Sequence, residues 1–286
     1  MDKHNHLLQT SFLLSFIYLP LFLFAISQTH DLNMLHTGLF FIILQVLIHP
    51  SNQLQIANAN LKLSGSKIEL TKQAKNLITS SISMNSLAVV LSMLIISLEV
   101  GVGVTGYLLL SKLHNNNPIR LRKYAIISLL LTMTMQGVLL FALTQYATGK
   151  LMLITNIFAI QACAFFVGFV YPLTQMHTHV EDLKRGDLTI GIRIGLQGTF
   201  VLSLVMFLIA ISFMGLHFYN TKHVFHFYVF LFFLSPVAAY FFWWRKNTRI
   251  QPLVANYIFT RLFVVITTIC MSLFSLVLIY LNHFTK

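Results

Sequence analysis

Long apolar runs alternate with short polar stretches along nearly the whole chain. A helix that spans a bilayer needs about 20 predominantly apolar residues, and nine runs reach or approach this length. They are Leu8–Ser27, Met34–Ile48, Ile82–Leu98, Val100–Leu113, Tyr124–Tyr146, Leu151–Tyr171, Thr189–Leu216, Val224–Trp244 and Ala255–Leu281. This pattern predicts an all-α fold: a polytopic membrane helical bundle of about nine transmembrane helices, which residues 1–286 form as a single domain.

The third and fourth runs are separated by very little polar sequence. Glu99 begins a Glu-Val-Gly-Val-Gly stretch, which ends at Gly103. Punctuation of this kind between two membrane-length runs favours a tight hairpin over one long helix.

Lysine and arginine are distributed unequally between the two sides of the predicted bundle. If the N-terminus lies inside, fifteen of these residues fall on the cytoplasmic side, three fall outside, and Arg261 lies within the last helix. An excess of Lys and Arg in cytoplasmic loops is the general rule for membrane proteins. The longer loops, Ser51–Ser80, Lys112–Lys123 and Met176–Arg193, share that side, so we expect the polar chemistry there.

Composition narrows the class of protein further. The chain is 57% hydrophobic and 9% charged, whereas soluble domains carry about 25% charged residues. Basic cytoplasmic loops account for the net charge of +12, and we expect no nucleic-acid partner. No removable signal peptide is predicted. The two cysteines, Cys163 and Cys270, fall in apolar runs, as inert core residues do.

One polar block, Tyr171–Phe200, concentrates ionisable residues between two apolar runs. It holds Glu181, Asp182 and Asp187, three of the seven acidic residues in the chain. Two carboxylates near one turn beside Gly186 are a common way to hold a cation. An ordinary hydrophilic loop would show the same composition, so the block by itself leaves both interpretations open.

The amino-acid sequence of the block is more specific than its charge. The stretches Tyr171-Pro-Leu-Thr-Gln, Glu181-Asp-x-Lys-Arg-Gly-Asp-x-Thr189 and Gly195-x-x-Gly-Thr-Phe200 resemble the second acidic motif of the UbiA superfamily of intramembrane prenyltransferases, in the form found in a bacterial branch. Three further stretches are similar to the same branch: Pro50-Ser51-Asn52, the basic loop from Ser111-Lys112 to Ile119–Tyr124, and Gln136-Gly137.

The resemblance implies an activity. Members of the family move a prenyl group from a polyprenyl diphosphate to a lipophilic or aromatic acceptor, and Mg²⁺ held by two acidic motifs binds the diphosphate. Carried over to this chain, the catalytic residues are Asp182 and Asp187, and the metal ligands are Asp182, Glu181 and Asp187. The diphosphate-binding residues are Asn52, Lys112, Arg120, Arg122, Lys184 and Arg185. The resemblance also implies contact with membrane lipid and a bacterial inner membrane. The distribution of Lys and Arg predicts that the N-terminus and the site loops are cytoplasmic.

The first acidic motif departs from the family pattern. Counted from Asn52, the motif positions carry no carboxylate: they are Gln55, Ala59 and Leu61. No Asp or Glu occurs between Asp31 and Glu69, and the amides of Asn58 and Asn60 are weaker Mg²⁺ ligands than carboxylates. We therefore expect prenyl transfer to be slow or absent, with the diphosphate bound more by Lys and Arg than by metal.

Other functions remain open on sequence alone. A non-catalytic relative with the UbiA fold would bind isoprenoid lipid without the chemistry. Hydropathy alone also fits a seven-helix receptor or a small transporter, although the charge pattern of nine runs opposes both. His177 and His179 fit either a zinc site or hydrogen bonding at the membrane interface.

The prenyltransferase interpretation also predicts a cavity. A prenyl chain needs a long apolar slot, and its diphosphate needs a polar end. We expect a largely apolar pocket beneath the loop face, with Asn52, Asp182 and Arg122 near its mouth.

Overall fold

The computed structural model describes residues 18–61, 69–115, 121–184, 186–251 and 255–284. Within these ranges, side chains are described except at residues 56–61, 69–74, 115, 180, 181 and 184. The regular elements in the described ranges are helices, and the only β contacts there are two isolated bridges, His30 with Lys150 and Tyr124 with Leu188. The predicted all-α fold is confirmed.

Twelve α-helices follow one another along the described chain. In order they are α1 Leu19–Ser27, α2 Met34–Ile42, α3 His49–Leu61, α4 Glu69–Leu91, α5 Leu98–Asn115, α6 Ala125–Thr132, α7 Leu140–Thr148, α8 Ile157–Thr174, α9 His179–Lys184, α10 Ile190–Asn220, α11 Val224–Ile250 and α12 Tyr257–His283. Three π-helical segments interrupt or extend them: Ile43–Ile48 joins α2 to α3, Ser92–Ile96 extends α4, and Met133–Leu139 joins α6 to α7. Short 3₁₀ turns occupy Leu121–Lys123 and Met176–Thr178.

Seven of the described helical stretches are long and apolar enough to cross a membrane. They are Met34–Gln55, Lys75–Ile96, Ala125–Thr148, Ile157–Thr178, Ile190–Asn220, Val224–Ile250 and Tyr257–His283. The sequence predicted about nine. The first predicted run is described only from Tyr18, where it forms the nine-residue α1, and the fourth forms α5. These long apolar helices make the chain an integral membrane protein.

Two compact units divide the chain. The first comprises the described residues of Asp31–Leu121 together with Tyr146–Gly149. The second comprises Ile17–His30, Arg122–Gln145 and Lys150–Lys286. Helices α2 to α5 therefore belong to the first unit, and α1, α6 and α8 to α12 belong to the second.

In the first unit, polar residues form helices where the sequence predicted a loop over Ser51–Ser80. The Ser51 hydroxyl lies 3.0 Å from the Ser81 hydroxyl and also donates to Asn85 Oδ1. Gln55 Nε2 donates to Ser81 Oγ at 3.1 Å. Side-chain hydrogen bonds thus join α3 to α4, which is a common way to pack polar helices in a membrane. For the described part of Ser51–Ser80, the predicted loop is wrong.

The break between α4 and α5 lies at Ser97. Its backbone is extended, with φ −167° and ψ 160°, and its hydroxyl accepts a hydrogen bond from the Val100 N–H at 3.2 Å. That bond satisfies one of the N–H groups that a helix start leaves unpaired. The structure thus has two helices here, as the polar punctuation around Glu99 predicts.

Aromatic side chains fill the core of the second unit. The Phe169 ring on α8 lies 4.5 Å from that of Phe207, 5.4 Å from Phe241 and 5.5 Å from Phe263, measured between ring centroids. All four are buried. Tilted and edge-to-face pairs of this kind stabilise a core beyond the burial of their area, and they fix α8, α10, α11 and α12 against one another.

Two glycines allow geometry that other residues would not. A Cβ at Gly137 would lie 2.3 Å from Ala164 Cα, so the π-helical segment and α8 approach closely only because that atom is missing. Gly195 has φ 70° and ψ 175°, which breaks the helical path near the start of α10. Such a conformation is essentially restricted to glycine.

The C-terminal end of α1 is held by side chains from other helices of the second unit. A helix end leaves its last carbonyl groups without intrahelical partners. Here they accept bonds from four side chains: His283 to Ile26 at 3.3 Å, Asn282 to Ser27 at 2.8 Å, and Gln145 and Asn156 to Gln28 at 2.9 and 3.3 Å. Four polar contacts thereby fix a short helix.

Candidate functional site

The acidic block folds as a sequence of short turns between two membrane helices. After α8 ends at Thr174, a 3₁₀ turn leads into the short helix α9. Gly186 then adopts φ 74°, and its N–H donates to the Leu183 carbonyl at 3.0 Å. This turn brings Asp187 back to Asp182, because the Asp187 N–H donates to the Asp182 carbonyl at 2.9 Å.

Asp182 is the best-defined side chain of the site. It is fully buried, and its Oδ1 lies 3.3 Å from Arg122 Nη2 in an ion pair. Its Oδ2 accepts a hydrogen bond from the Thr178 hydroxyl at 2.7 Å. Both carboxylate oxygens therefore already have partners, one of them a cation.

Arg122 retains capacity to bind an anion. A guanidinium has five N–H donors and no acceptor. The Arg122 Nε is buried and has no hydrogen-bond partner among the described residues, although Nη2 is paired with Asp182. A buried donor of this kind is unfavourable until an acceptor reaches it, and an anionic oxygen of a ligand beside Arg122 would supply one.

The chain after Asp187 is also tightly held. Asp187 and Thr189 are both buried, with 1% of each residue exposed. Leu188, between them, forms a parallel backbone bridge with Tyr124, two residues after Arg122. The bridge joins the segment that carries Arg122 to the segment that carries the acidic residues.

The two histidines of the block have different surroundings. The His177 ring lies edge-on to the Tyr257 ring, with 5.4 Å between centroids. His179 Nε2 faces the backbone of Gly191, where a Cβ would lie 2.6 Å away. Burial lowers the pKa of His179, and the nearby Asp182 carboxylate partly opposes that shift. Among the residues that the structure describes, no three His, Cys, Asp or Glu side chains group as metal ligands.

A cavity of about 50 Å³ lies within the second unit. Helix α1, the π-helical segment Met133–Leu139, α8 and α12 contribute its lining: Tyr18, Pro20, Leu21, Gln136, Phe166, Val167, Val170, Tyr171, Thr174 and Thr267. Most of the wall is apolar. Tyr171 and Thr174 belong to the acidic block, and Thr174 precedes Thr178, the partner of Asp182, by four residues. The cavity and the acidic residue are thus connected along one short stretch of chain.

The remaining predicted site residues are described in part. In the first unit, Asn52 Oδ1 accepts a hydrogen bond from the Ser111 hydroxyl at 2.9 Å, and Lys112 is exposed. Arg120 and Arg185 lie outside the described residues, as do the side chains of Glu181, Lys184, Asn58, Asn60 and Glu69. Asn52 and Asp182 belong to different units, so their meeting at one pocket mouth stays a prediction.

The described donors do not fit a Mg²⁺ ion that bridges two acidic motifs. Mg²⁺ prefers carboxylate and phosphate oxygens in octahedral geometry. Asp182 already accepts from Arg122 and Thr178, and Gln55, at the start of the expected first motif, donates its amide to Ser81. In the described structure, the Asp182 carboxylate pairs with the Arg122 guanidinium.

Comparisons with known proteins bear on the fold. No family model matches the sequence, and no curated protein matches it. Solved structures do match. A UbiA homolog from Archaeoglobus fulgidus bound to DMAPP and Mg²⁺ superposes with a TM-score of 0.65 at 13% identity, over 97% of this chain and 99% of that one. The chain has the UbiA fold.

Two further structures with the UbiA fold agree with this assignment. The same archaeal homolog bound to GPP and Mg²⁺ gives a TM-score of 0.66 at 13% identity, over 97% of this chain and 99% of that one. A structure of digeranylgeranylglyceryl phosphate synthase gives a TM-score of 0.59 at 15% identity, over 95% of this chain and 94% of that one. The fold that the sequence resemblance implied is confirmed over nearly the whole chain.

Thr178 is a site residue that the sequence analysis did not predict. Its hydroxyl makes the shortest described side-chain contact to Asp182. The signal was available, because Thr178 and Asp182 are four residues apart, a spacing that puts side chains on one face of a helical turn.

Proposed function

We propose that this chain is a member of the UbiA superfamily that binds a polyprenyl diphosphate in the membrane and moves its prenyl group to a lipophilic or aromatic acceptor. The fold and the block Tyr171–Phe200 support the family. The single observation that carries the proposal is Arg122, whose guanidinium is held by buried Asp182 while its Nε–H has no described partner.

The apolar wall of the cavity suits a prenyl chain, although the volume of about 50 Å³ is smaller than such a chain. Its wall is mainly apolar, and it includes residues of α8 just before the turn that holds Asp182. An apolar wall suits the hydrocarbon chain of a prenyl diphosphate, and a cationic group suits its diphosphate head. In the proposal, Phe166 and Val167 contact the prenyl chain, and Arg122 contacts the diphosphate.

The proposed reaction is the one that the family resemblance implies. The C–O bond of the prenyl diphosphate breaks and the diphosphate leaves with the electron pair, so an allylic cation remains. A nucleophilic carbon or oxygen of the acceptor forms the new bond and loses a proton to solvent. Arg122 stabilises the charge on the leaving group, and aromatic rings of the cavity wall, including Tyr171, shield the cation from water.

The other predicted residues extend this site. Lys112, Arg120, Lys184 and Arg185 are proposed to add positive charge around the diphosphate, and Asn52 to donate a hydrogen bond. Asp182 fixes Arg122, and Asp187 is proposed as the second acid of the same turn. Asp182, Glu181 and Asp187 stay the predicted Mg²⁺ ligands from the family resemblance, and the contacts of Asp182 with Arg122 and Thr178 oppose that role for Asp182.

A second candidate is a non-catalytic relative that binds isoprenoid lipid. Two observations favour it: the carboxylate of Asp182 is already engaged by Arg122 and Thr178, and the expected first motif carries no acid. Such a protein would keep the cavity and bind prenyl diphosphate without turnover. We expect transfer, if present, to be slow.

The charge pattern supports a location for the site. We propose that the protein lies in a bacterial inner membrane, with its N-terminus and the loop that carries Asp182 on the cytoplasmic side. Soluble prenyl diphosphates would then reach the diphosphate end of the site from the cytoplasm.

A transfer assay on the purified protein tests the proposed function. Radiolabelled DMAPP, GPP and longer prenyl diphosphates are offered with a set of lipophilic phenols, with and without EDTA. Lipid-soluble product that disappears with Asp182→Asn would support prenyl transfer. Tight binding of the diphosphates without product would favour the non-catalytic relative. If no prenyl diphosphate binds under any condition, both candidates fail.

A further inference from the structure

Gln45 is a polar residue in an unusual place. It lies in the π-helical segment Ile43–Ile48, within the candidate membrane span Met34–Gln55. Only 8% of the residue is exposed, and neither its Nε2 nor its Oε1 has a hydrogen-bond partner among the described residues. A buried amide without partners is strongly unfavourable in a low-dielectric interior.

Two other amides further along the same chain segment each make at least one hydrogen bond, although Gln55 Oε1 has no partner among the described residues. Asn52 accepts a hydrogen bond from Ser111, and Gln55 donates one to Ser81. These side chains contribute to helix packing, whereas Gln45 makes no such contact in the described structure. A π-helical segment often marks a functional site, and an intramembrane polar residue is a functional-site candidate. Two independent features therefore meet at Gln45.

The chemistry around Gln45 limits what it could bind. No Asp, Glu, Lys or Arg occurs between Asp31 and Lys62. His49, one turn after Gln45 and only 2% exposed, is the only titratable side chain from Thr37 to Leu61. A charged ligand would find no counter-ion on this helix and would be costly to bury. An amide has two N–H donors and a carbonyl acceptor, which together match a hydroxyl group.

We propose that Gln45 recognises the hydroxyl group of a neutral, apolar molecule within the membrane. In this arrangement the hydroxyl O–H donates a hydrogen bond to Gln45 Oε1, and a Gln45 Nε2–H donates one to the hydroxyl oxygen. A site built to bind a hydroxyl discriminates strongly against an analogue that lacks it, because the buried amide is then left without partners.

The experiment compares two probes of almost equal size, 4-nonylphenol and nonylbenzene. Both are titrated into the full-length protein in lipid nanodiscs, with binding measured by equilibrium dialysis and the melting temperature recorded with and without each probe. We expect Gln45→Leu to weaken nonylphenol binding by about tenfold or more. Nonylbenzene binding should not change.

The ligand-free melting temperature separates a binding role from a packing role. Removal of an unpaired buried amide should leave it unchanged or raise it, since leucine suits an apolar surrounding. The matched control is Gln161→Leu, in the membrane helix α8, where the side chain is partly exposed. This change should affect neither probe.

Two results would overturn the proposal. If Gln45→Leu lowers the ligand-free melting temperature by several degrees, the amide has a structural partner. If the variant still prefers nonylphenol over nonylbenzene as wild type does, Gln45 does not read the hydroxyl. Binding of GPP is measured in the same samples. If the wild type does not bind GPP, the proposed function fails. The preference for nonylphenol over nonylbenzene tests the role of Gln45 whether or not GPP binds.

Discussion

Asp182 is the residue on which the other polar groups of the site depend. It is fully buried, and its charge is balanced by Arg122. Asp182→Asn removes that charge and leaves the guanidinium without its counter-ion. Because one partner of a buried ion pair is then uncompensated, we expect the free energy of unfolding to fall by about 3 kcal/mol. Any prenyl transfer should be abolished, as measured by product formation from labelled GPP.

Thr178→Val is the matched control for the same carboxylate. It keeps the shape of the side chain and removes the hydroxyl that donates to Asp182 Oδ2 at 2.7 Å. We expect a loss of about 1 kcal/mol of stability, with binding of prenyl diphosphate retained because Arg122 keeps its partner. If Thr178→Val and Asp182→Asn had equal effects on binding, the ion pair with Arg122 would not be the important contact.

The sequence predicted the members of this contact but not their arrangement. Arg122 and Asp182 were both selected through the family resemblance, one as a diphosphate ligand and the other as a metal ligand. Their ion pair joins positions sixty residues apart, and no local spacing pattern contains such information. Thr178, the other partner of Asp182, is only four residues away, so a local spacing pattern could have identified it.

At the scale of helices, the close approach of the π-helical segment Met133–Leu139 to α8 is the most sensitive contact. Gly137→Ala would place a Cβ 2.3 Å from Ala164 Cα and 2.7 Å from its backbone nitrogen. A backbone atom cannot rotate away, so the helices must separate. We expect the free energy of unfolding to fall by about 2–3 kcal/mol, measured by thermal denaturation in detergent.

Gly106→Ala is the control for this substitution. A Cβ at Gly106, in α5, would have no atom within 4 Å. Alanine in an open helical position restricts the unfolded chain and should leave stability unchanged or raise it by about 0.5 kcal/mol. Equal stability of the two alanine variants would show that the contact between Gly137 and Ala164 is looser than described.

The length of the apolar runs predicted the long helices better than it predicted their interruptions. The runs around Ala125–Thr148 and Ile190–Asn220 correspond to observed helices because lipid requires every backbone group to be paired within the segment. Hydropathy failed at Ser51–Ser80, where serine, asparagine and glutamine side chains bond between helices. It also gave no sign of the π-helical segments or of the broken helical path at Gly195, since these depend on backbone hydrogen bonding and not on polarity.

At the scale of the whole molecule, the orientation in the membrane follows from Lys and Arg and stays a prediction. Lys246 is exposed near the end of α11, and Lys222 is exposed in the turn before it. With Cys163 and Cys270 replaced by serine, a cysteine at position 246 should react with a membrane-impermeant maleimide only in inside-out vesicles. A cysteine at position 222 should react only in right-side-out cells. The reverse pattern would invert the proposed topology.

The fold at this scale was predictable because two kinds of information agreed. The apolar runs indicated a polytopic helical protein, and the block Tyr171–Phe200 indicated the UbiA fold. Solved structures with 13–15% identity then matched nearly the whole chain. The first acidic motif is where the chain and the family pattern disagree, and catalysis could not be predicted there because the missing carboxylates bear directly on the chemistry.

The most direct test of the site is binding of GPP to the purified protein, measured with excess Mg²⁺ and with EDTA. We predict that GPP binding persists in EDTA, because Arg122, held in place by Asp182, binds the diphosphate without a metal ion. We also predict that Arg122→Gln weakens GPP binding by about tenfold or more, because it removes a charge-assisted hydrogen bond. Lys222→Gln, an exposed charge in the turn before α11, should have no effect. Binding that requires Mg²⁺ and is unchanged by Arg122→Gln would contradict a site based on arginine.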